Sequence, residues 1–498
     1  MSISRRTIIS LPLAMTAAGL APAPAFGQRG RRTVTICLSL EPDTLDPTQA
    51  AAASIGAVVH GNILEGLAKL TENGTVVPQL ADGWDISADG TRYTFRLKKN
   101  VRFHDGSEFD ANAVKYSVER AQRAGMKNKL QETLFNNIVD IFVHNVHTVE
   151  LVLKHPDPDT LFRLAQNPAV ILHPDTADQT GQHPVGTGPF TFEQWKRGEH
   201  ITLKRWPGFR DASAVRMDTV IYRYIADPDE QVRAIHSGDV DILFNIATSN
   251  VAKFLSSDRY EVLIGTSSSK GLLALNNRRQ PLDDVRVRRA ITHAIDRESF
   301  IRQSLDGRGH AIGSHFAPTD PGYINLTGMY PYDPERSRKL LRAAGITSPI
   351  KLVMSLPPTP YAQTGGPVIT EALANIGIHL TTRELSWPQW LDGPFRGDFD
   401  VTIINHVEPL DYPIYTRPDY YFGYDSPQFR DLVNRHRSSQ SPREQHVLFQ
   451  QIQRHLAEDA VNAWLVSPHI STVVRKGLKG VWMHYPIFAH DVGSMYWE

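Results

Sequence analysis

Apolar and polar positions alternate with two different periods along this 498-residue chain. A period of two marks short stretches: Thr33 to Leu38, Trp84 with Ile86, then Tyr93, Phe95 and Leu97, and later Val146 to Leu153. Ile201 to Trp206, Thr219 to Tyr224 and Val240 to Phe244 continue the series, and all predict strands. Helical spacing marks others. Ala50 to Leu67 predicts a helix, as do Val114, Tyr116 and Val118 behind an N-cap at Asp110. Thr160 to Leu164, Pro228 to Ser237 and Gln445 to Ala457 predict three more. Val285, Ala290, Ile291, Ala294 and Ile295 share one helical face. Tyr332 to Ala344 carries its own punctuation, with Asp333 as cap, Pro334 at the first position and Gly345 at the stop. Lys351 to Leu356, Thr370 to Ile376 and Ile378 to Arg383 read strand, helix, strand. Ala88-Asp89-Gly90 and Asp105-Gly106 are turns, and Pro42 to Pro47 is a proline-bounded loop. His183 to Phe190, stiff at its prolines and loose at Gly186 and Gly188, reads as a crossover between lobes. The alternation is that of an α/β chain with mixed sheets, without repeats of fixed period.

Composition narrows the class. Hydrophobic residues make up 41% and charged residues 21%, and 53 basic residues balance 53 acidic ones. No basic excess points to nucleic acid, and no acidic run to a disordered tail. The length suffices for two or three domains. The single cysteine, Cys37, permits no internal disulfide and sits in a strand pattern, as a small buried hydrophobe does. At the N-terminus Arg5-Arg6 precede an apolar run from Ile8 to Leu20, and small residues at Ala23-Pro24-Ala25 and Ala25-Phe26-Gly27 offer cleavage points. Residues 1–27 read as a twin-arginine-like signal peptide, too short and too interrupted by Pro12 to span a bilayer permanently. Cleavage after Gly27 removes two arginines and no acid, leaving 51 basic against 53 acidic residues and a charge of −2.

Enzyme templates find no match. The chain has no G-x-S-x-G and no Walker-type phosphate loop, and Gly186-Thr187-Gly188 and Gly307-Arg308-Gly309 are too short for a dinucleotide fingerprint. His144 and His147 lie close together without an H-E-x-x-H motif or a C-x-x-C pair, and 20 histidines make such neighbours unremarkable. No catalytic residue, metal site or cofactor is expected.

The stretch from Val77 to Arg120, VPQLADGWDISADGTRYTFRLKKNVRFHDGSEFDANAVKYSVER, resembles the signature of the family 5 solute-binding proteins of ABC importers, which carry peptides, nickel chelates and related solutes. Glu41 to Pro47 and Gly61 to Leu67 resemble the family's earlier motifs. Pro184 to Phe190, Leu275-Asn276, Val285 to Arg297 and Tyr332 to Gly345 follow in the family's order. The resemblance implies a two-lobed periplasmic-binding-protein fold, type II and cluster C-like, with an extra inserted subdomain. Lobe one would comprise 28–60, 187–265 and 470–498, the subdomain 61–186, and lobe two 266–469. It also implies a monomeric periplasmic receptor that hinges around a buried solute and presents it to an ABC permease in the inner membrane.

The ligand question centres on Trp387 to Tyr424, which is rich in aromatics and holds Glu408, Asp411 and Asp419 close together. Aromatic rings with a few fixed polar groups suit a small-molecule cleft, and a surface loop over a core edge has the same composition. A buried carboxylate needs a cation, and a ligand ammonium is one. By resemblance, Glu408 falls where peptide-binding relatives place the acid that pairs with the peptide's amino group, with Asp411 three residues on. The flanking tryptophan of those relatives is replaced by Asn405 or His406, so a dipeptide ligand is not secured. Trp387 falls where relatives stack a tryptophan on the ligand; core packing is its other reading. Arg383 and Arg396 would hold a ligand carboxylate or be solvated surface arginines. Tyr412, Tyr415, Tyr420 and Tyr421 are candidates for the cleft wall. The expected site is Glu408, Asp411, Trp387, His406, Tyr412 and Arg383, and the expected solute a short peptide or amino-acid-like compound. An opine, a sugar conjugate or a metal chelate is the alternative within the fold. A secreted hydrolase and a chaperone with an open apolar groove are the rivals outside it.

Overall fold

A computed structural model describes residues 32–50, 52–123 and 135–498. The signal peptide expected over 1–27 lies outside the described residues.

Three larger sheets organise the chain. The first has seven strands, in the order Tyr260–Gly265, Ile470–Arg475, Ile242–Leu243, Thr33–Leu38, Thr219–Tyr224, His200–Arg205 and Phe190–Lys196. The second has six, in the order Gly309–Ala311, Ala463–Pro468, Lys270–Leu275, Val401–His406, Ile350–Leu356 and Ile378–Glu384. The third is a four-stranded antiparallel sheet of two hairpins, in the order Ala81–Ile86, Arg92–Leu97, Thr148–Leu153 and Ile138–Asn145. It alternates as its sequence does: Tyr93, Phe95 and Leu97 point to a core shared with Val114 and Val118 of the helix Ala111–Gln122. Lys270–Leu275 is buried along its whole length, as a central strand covered on both faces must be.

Helix ends sit where their side chains satisfy free backbone N–H groups. Asp110 accepts from the amides of Asn112 and Ala113, Asp227 from Glu230, and Asp333 from Arg336. Two predicted helices have different bounds. The run from Ala50 to Leu67 is helical only over Ala53–Val59, because the chain turns at Gly61, φ +72°, and goes on to bridge Gly66 to Val170. The helix predicted over Thr370 to Ile376 extends back to Pro360 and runs through Gly365, Gly366 and Pro367.

The chain passes between the two large sheets twice. Residues 266–269 join Tyr260–Gly265 to Lys270–Leu275, and His469 alone joins Ala463–Pro468 to Ile470–Arg475. Gly265 opens the first crossing, where a Cβ would stand 1.6 Å from the Met483 carbonyl oxygen. The stretch His183 to Phe190 is not one of these crossings. It leads from the region of the four-stranded sheet into the edge strand Phe190–Lys196 of the seven-stranded sheet, with Gly186 pressed so close to Ile63 that a Cβ would lie 1.9 Å from its carbonyl oxygen.

Register shows which sheet edges meet at the crossings. Gly265 pairs with Ile470, and Lys270 pairs with His406. The carboxyl ends of Thr33–Leu38, Thr219–Tyr224 and Ile242–Leu243 therefore face the crossings from one side. Those of Val401–His406, Ile350–Leu356 and Ile378–Glu384 face them from the other. Ligands of open α/β sheets bind outside such carboxyl ends, so the topology alone places a site between the sheets.

Burial leaves a titration signature. It pushes His60, His104, His315, His436, His469 and His490 down to about 4, from 6.5. It pushes Asp159 and Asp320 up to about 6. A group whose pKa falls on folding binds fewer protons in the native state between the two values, so acid favours the unfolded chain over that window. The two raised carboxyls act in the opposite sense between about 4 and 6, and the histidines outnumber them. The melting temperature is expected to fall by several degrees as pH drops from about 6.5 to 4. A thermal melt series across that range checks this; a rise would contradict it.

Candidate functional site

A cavity of about 160 Å³ lies between the sheets at the predicted edges. The seven-stranded side contributes Pro47, Ala50 and the start of the helix Ala53–Val59, together with Tyr485 to Phe488 near the C-terminus. Gln166, Asn167 and Pro168 close a second wall. Ser267 and Ser268 of the first crossing and the loop Val407-Glu408-Pro409 close the rest. The lining is mostly apolar, with a few polar groups to fix orientation, as in small-molecule sites.

Glu408 is the charged side chain among the described lining residues. It is half-buried, and its Oε2 accepts from the Val407 amide at 3.2 Å. It stands just beyond the carboxyl end of Val401–His406, where the strand has delivered its backbone to the cavity.

Behind Glu408 is a closed polar network. Lys270, the first residue of its strand and 0% exposed, donates to Asp411 Oδ1 at 2.9 Å and to the backbone carbonyl of Glu408. His315 Nε2 donates to the same Asp411 oxygen at 2.8 Å, and His406 Nδ1 donates to Oδ2 at 3.1 Å. Each imidazole accepts on its other side, His315 from the Tyr415 hydroxyl at 3.0 Å and His406 from the Tyr421 hydroxyl at 2.9 Å. Asn462 in turn donates to Tyr415 at 3.1 Å. The donors and acceptors match throughout.

The electrostatics follow from this arrangement. Burial favours the neutral form of Asp411, but His315 and Lys270 outweigh it and hold the carboxyl well below its usual range. Burial also opposes the charge on Lys270, and Asp411, with Asp320 beyond it, keeps the ammonium above its ordinary value. Burial drives His315 down to about 4, so at neutral pH it is a neutral donor and the compensating charge is that of Lys270. His315, His406 and Asp411 stand close enough to resemble a metal-ligand set, their ligating atoms lying within 4.8 Å. A dication there would meet the Lys270 ammonium already seated on Asp411, so the geometry fits a hydrogen-bonded ion pair.

The structure distributes the sequence-predicted residues over three places. Glu408 is on the cavity wall. Asp411 and His406 are joined in the network behind it. Tyr412, Trp387 and Arg383 are not among the lining residues. Tyr412 is fully buried in the core of the six-stranded side and donates to Asp159 at 3.1 Å, so it ties two parts of the chain together. Trp387 is 41% exposed and packs edge-on against Trp390 at 5.7 Å; Trp390 is the one that enters the core, donating to Thr402. Arg383 is exposed on the outermost strand and donates to Ser355 Oγ at 3.2 Å. Lys270, His315 and Ser267-Ser268 were missed. A lysine heading the apolar run Gly271 to Leu275 was the available signal, since a charge in a buried strand demands a counter-ion.

Comparison with known proteins bears on what such a cavity holds. Residues 75–426 match the profile of bacterial extracellular solute-binding proteins, family 5, middle region. The chain belongs to this family. The glutathione-binding protein GsiB of Salmonella paratyphi A is 28% identical over 336 residues, 66% of this chain and 65% of that protein, so the match spans just under two thirds of the relative's length. Di/tripeptide-binding protein 2 of Pseudomonas aeruginosa is 27% identical over 418 residues, 77% of this chain and 78% of that one. The solved structure of the binding protein AgaA of A. tumefaciens, in complex with agropinic acid, superposes with a TM-score of 0.77 at 25% identity, covering 94% of this chain and 99% of that one. The expected two-lobed fold of solute-binding proteins is thereby shown, and these relatives are binding proteins. Among the described residues no helix is long and apolar enough to cross a membrane.

The buried pair generates a test. Removing one partner of a buried ion pair leaves an uncompensated charge at a cost of about 3–5 kcal/mol, whereas removing both costs much less. Lys270→Met should lower stability in urea unfolding by about that amount, and Lys270→Met with Asp411→Leu should recover a substantial part of it. Additive losses would mean that the two charges do not depend on each other.

Proposed function

We propose that this protein is the exported receptor of an ABC importer, holding a short peptide or amino-acid-like solute with a free amino group between its lobes and delivering it to an inner-membrane permease. One observation carries the reading: the cavity between the two large sheets has Glu408 at its wall, beside a lining of small apolar and uncharged polar groups. A half-buried carboxylate at a cavity wall is matched by an ammonium that the solute brings. Family membership supports the receptor role, and the ligands in the names of the relatives support an amino-bearing solute.

On this reading the seven-stranded body, 28–60 with 187–265 and 470–498, is lobe one, and 266–469 is lobe two. Residues 61–186 form the inserted subdomain. Residues 1–27 are removed after twin-arginine export, and the mature chain works in the periplasm as a monomer. Glu408 is the anchor. Asp411 and His406 act through it, by fixing with Lys270 the loop that carries it. No step of bond making is required, because closure of the lobes is itself the signal to the permease.

Calorimetry with alanyl-alanine and its N-acetylated form tests the anchor. The free amine should bind and the acetylated form should not. Glu408→Gln, which keeps the side-chain shape, should weaken the free dipeptide by about ten- to a hundredfold without changing the melting curve. Equal binding of the two forms, or an unchanged affinity in the variant, would remove Glu408 from the site.

A further inference from the structure

The charges around the cavity say more about the solute than that it carries an amine. Among the described residues that line it there is one carboxylate, Glu408, and no lysine or arginine. The nearest cation behind that wall is Lys270, and it is committed: its ammonium is fully buried, bonded to Asp411 and to the Glu408 carbonyl, and faced by Asp320 as a second acid. Arg383, on the outer strand of the same sheet, is exposed and donates to Ser355. What remains for a second polar group of the solute is the neutral set Gln166, Asn167, Ser267 and Ser268, with Ser268 already donating to the Pro486 carbonyl at 3.1 Å.

We infer that the cavity selects a solute that brings a cation and no free carboxylate into it: an amine or peptide-like compound whose acid group is amidated, esterified or absent. The inference rests on the reading of the cavity as the solute site and narrows its ligand class. An ammonium entering beside Glu408 forms one charge-assisted pair and leaves that wall neutral. A zwitterion adds a carboxylate that finds no cation among the described lining residues, near the Glu408 charge. Uncharged amides and hydroxyls solvate such a group only in part, and an uncompensated buried charge is far more costly than an uncompensated amide. An amide or ester at the same point needs only the neutral donors and acceptors that the wall supplies.

Three probes on the intact mature protein separate the possibilities: alanyl-alanine, alanyl-alanine amide and N-acetyl-alanyl-alanine amide, measured by calorimetry at neutral pH. The amide should bind at least about tenfold more tightly than the free acid, the ratio that one poorly compensated buried group produces. The acetylated amide should bind far more weakly than either. Equal affinity for acid and amide, or preference for the acid, overturns the inference and leaves the amino anchor standing; loss of that preference in Arg383→Ala would then identify the cation responsible. Equal binding of the acetylated and free amides overturns the amino anchor itself, and the inference with it. Failure of all three probes to bind does the same.

Discussion

The structure of the site depends on one buried ion pair. Lys270 and Asp411 lie 141 residues apart in sequence and 2.9 Å apart in space, at the point where the chain enters the six-stranded sheet. Neither charge is tolerable there alone: Lys270 with His315 offsets the desolvation of Asp411, and Asp411 with Asp320 offsets that of Lys270. Because Lys270 also holds the Glu408 carbonyl, the pair fixes the loop whose side chain faces the cavity. His315 and His406 complete the carboxylate's hydrogen bonds, and the tyrosines behind them fix the two rings. The site is thus built outward from a saturated interior, with one carboxylate left over at its surface.

This arrangement separates two jobs that a row of acids in one loop performs ambiguously. Asp411 accepts three hydrogen bonds from buried protein donors, two at Oδ1 and one at Oδ2, so it holds the architecture. Glu408, three residues earlier, has its side chain at the cavity and its backbone in the network. The same short loop therefore carries an internal charge and an external one, and Lys270 keeps them from acting as a pair of like charges.

Much of the architecture could be read from local chemistry. Caps at Asp110 and Asp333 are side-chain decisions made within three residues, and the alternation of the four-stranded sheet is visible in single strands. Where reading failed, distant contacts had decided. The helix Pro360–Ala374 runs through two glycines and a proline because Gly365 lets Phe300 approach to 2.8 Å of where a Cβ would be, a neighbour 65 residues away. The run after Ala50 looks helical, but Gly61 turns it. In the site, composition drew attention to the segment holding Glu408, while the partners that fix Asp411 come from positions 270 and 315 and leave no trace near it. Trp387 and Trp390 are three residues apart, and a hydrogen bond to Thr402 with packing against Phe395 and Tyr421 distinguishes the buried one.

The two passages between the sheets are unequal, four residues on one side and His469 by itself on the other. A connection of one residue between two extended, fully paired segments has no slack: it allows rotation about its own backbone torsions and forbids translation. A relative motion of the two bodies would then be a rotation about His469, the longer strap taking up the arc, rather than a shear. Access to the space between them would follow an angle, and the wall that carries Glu408 would move through it together with the strand behind it.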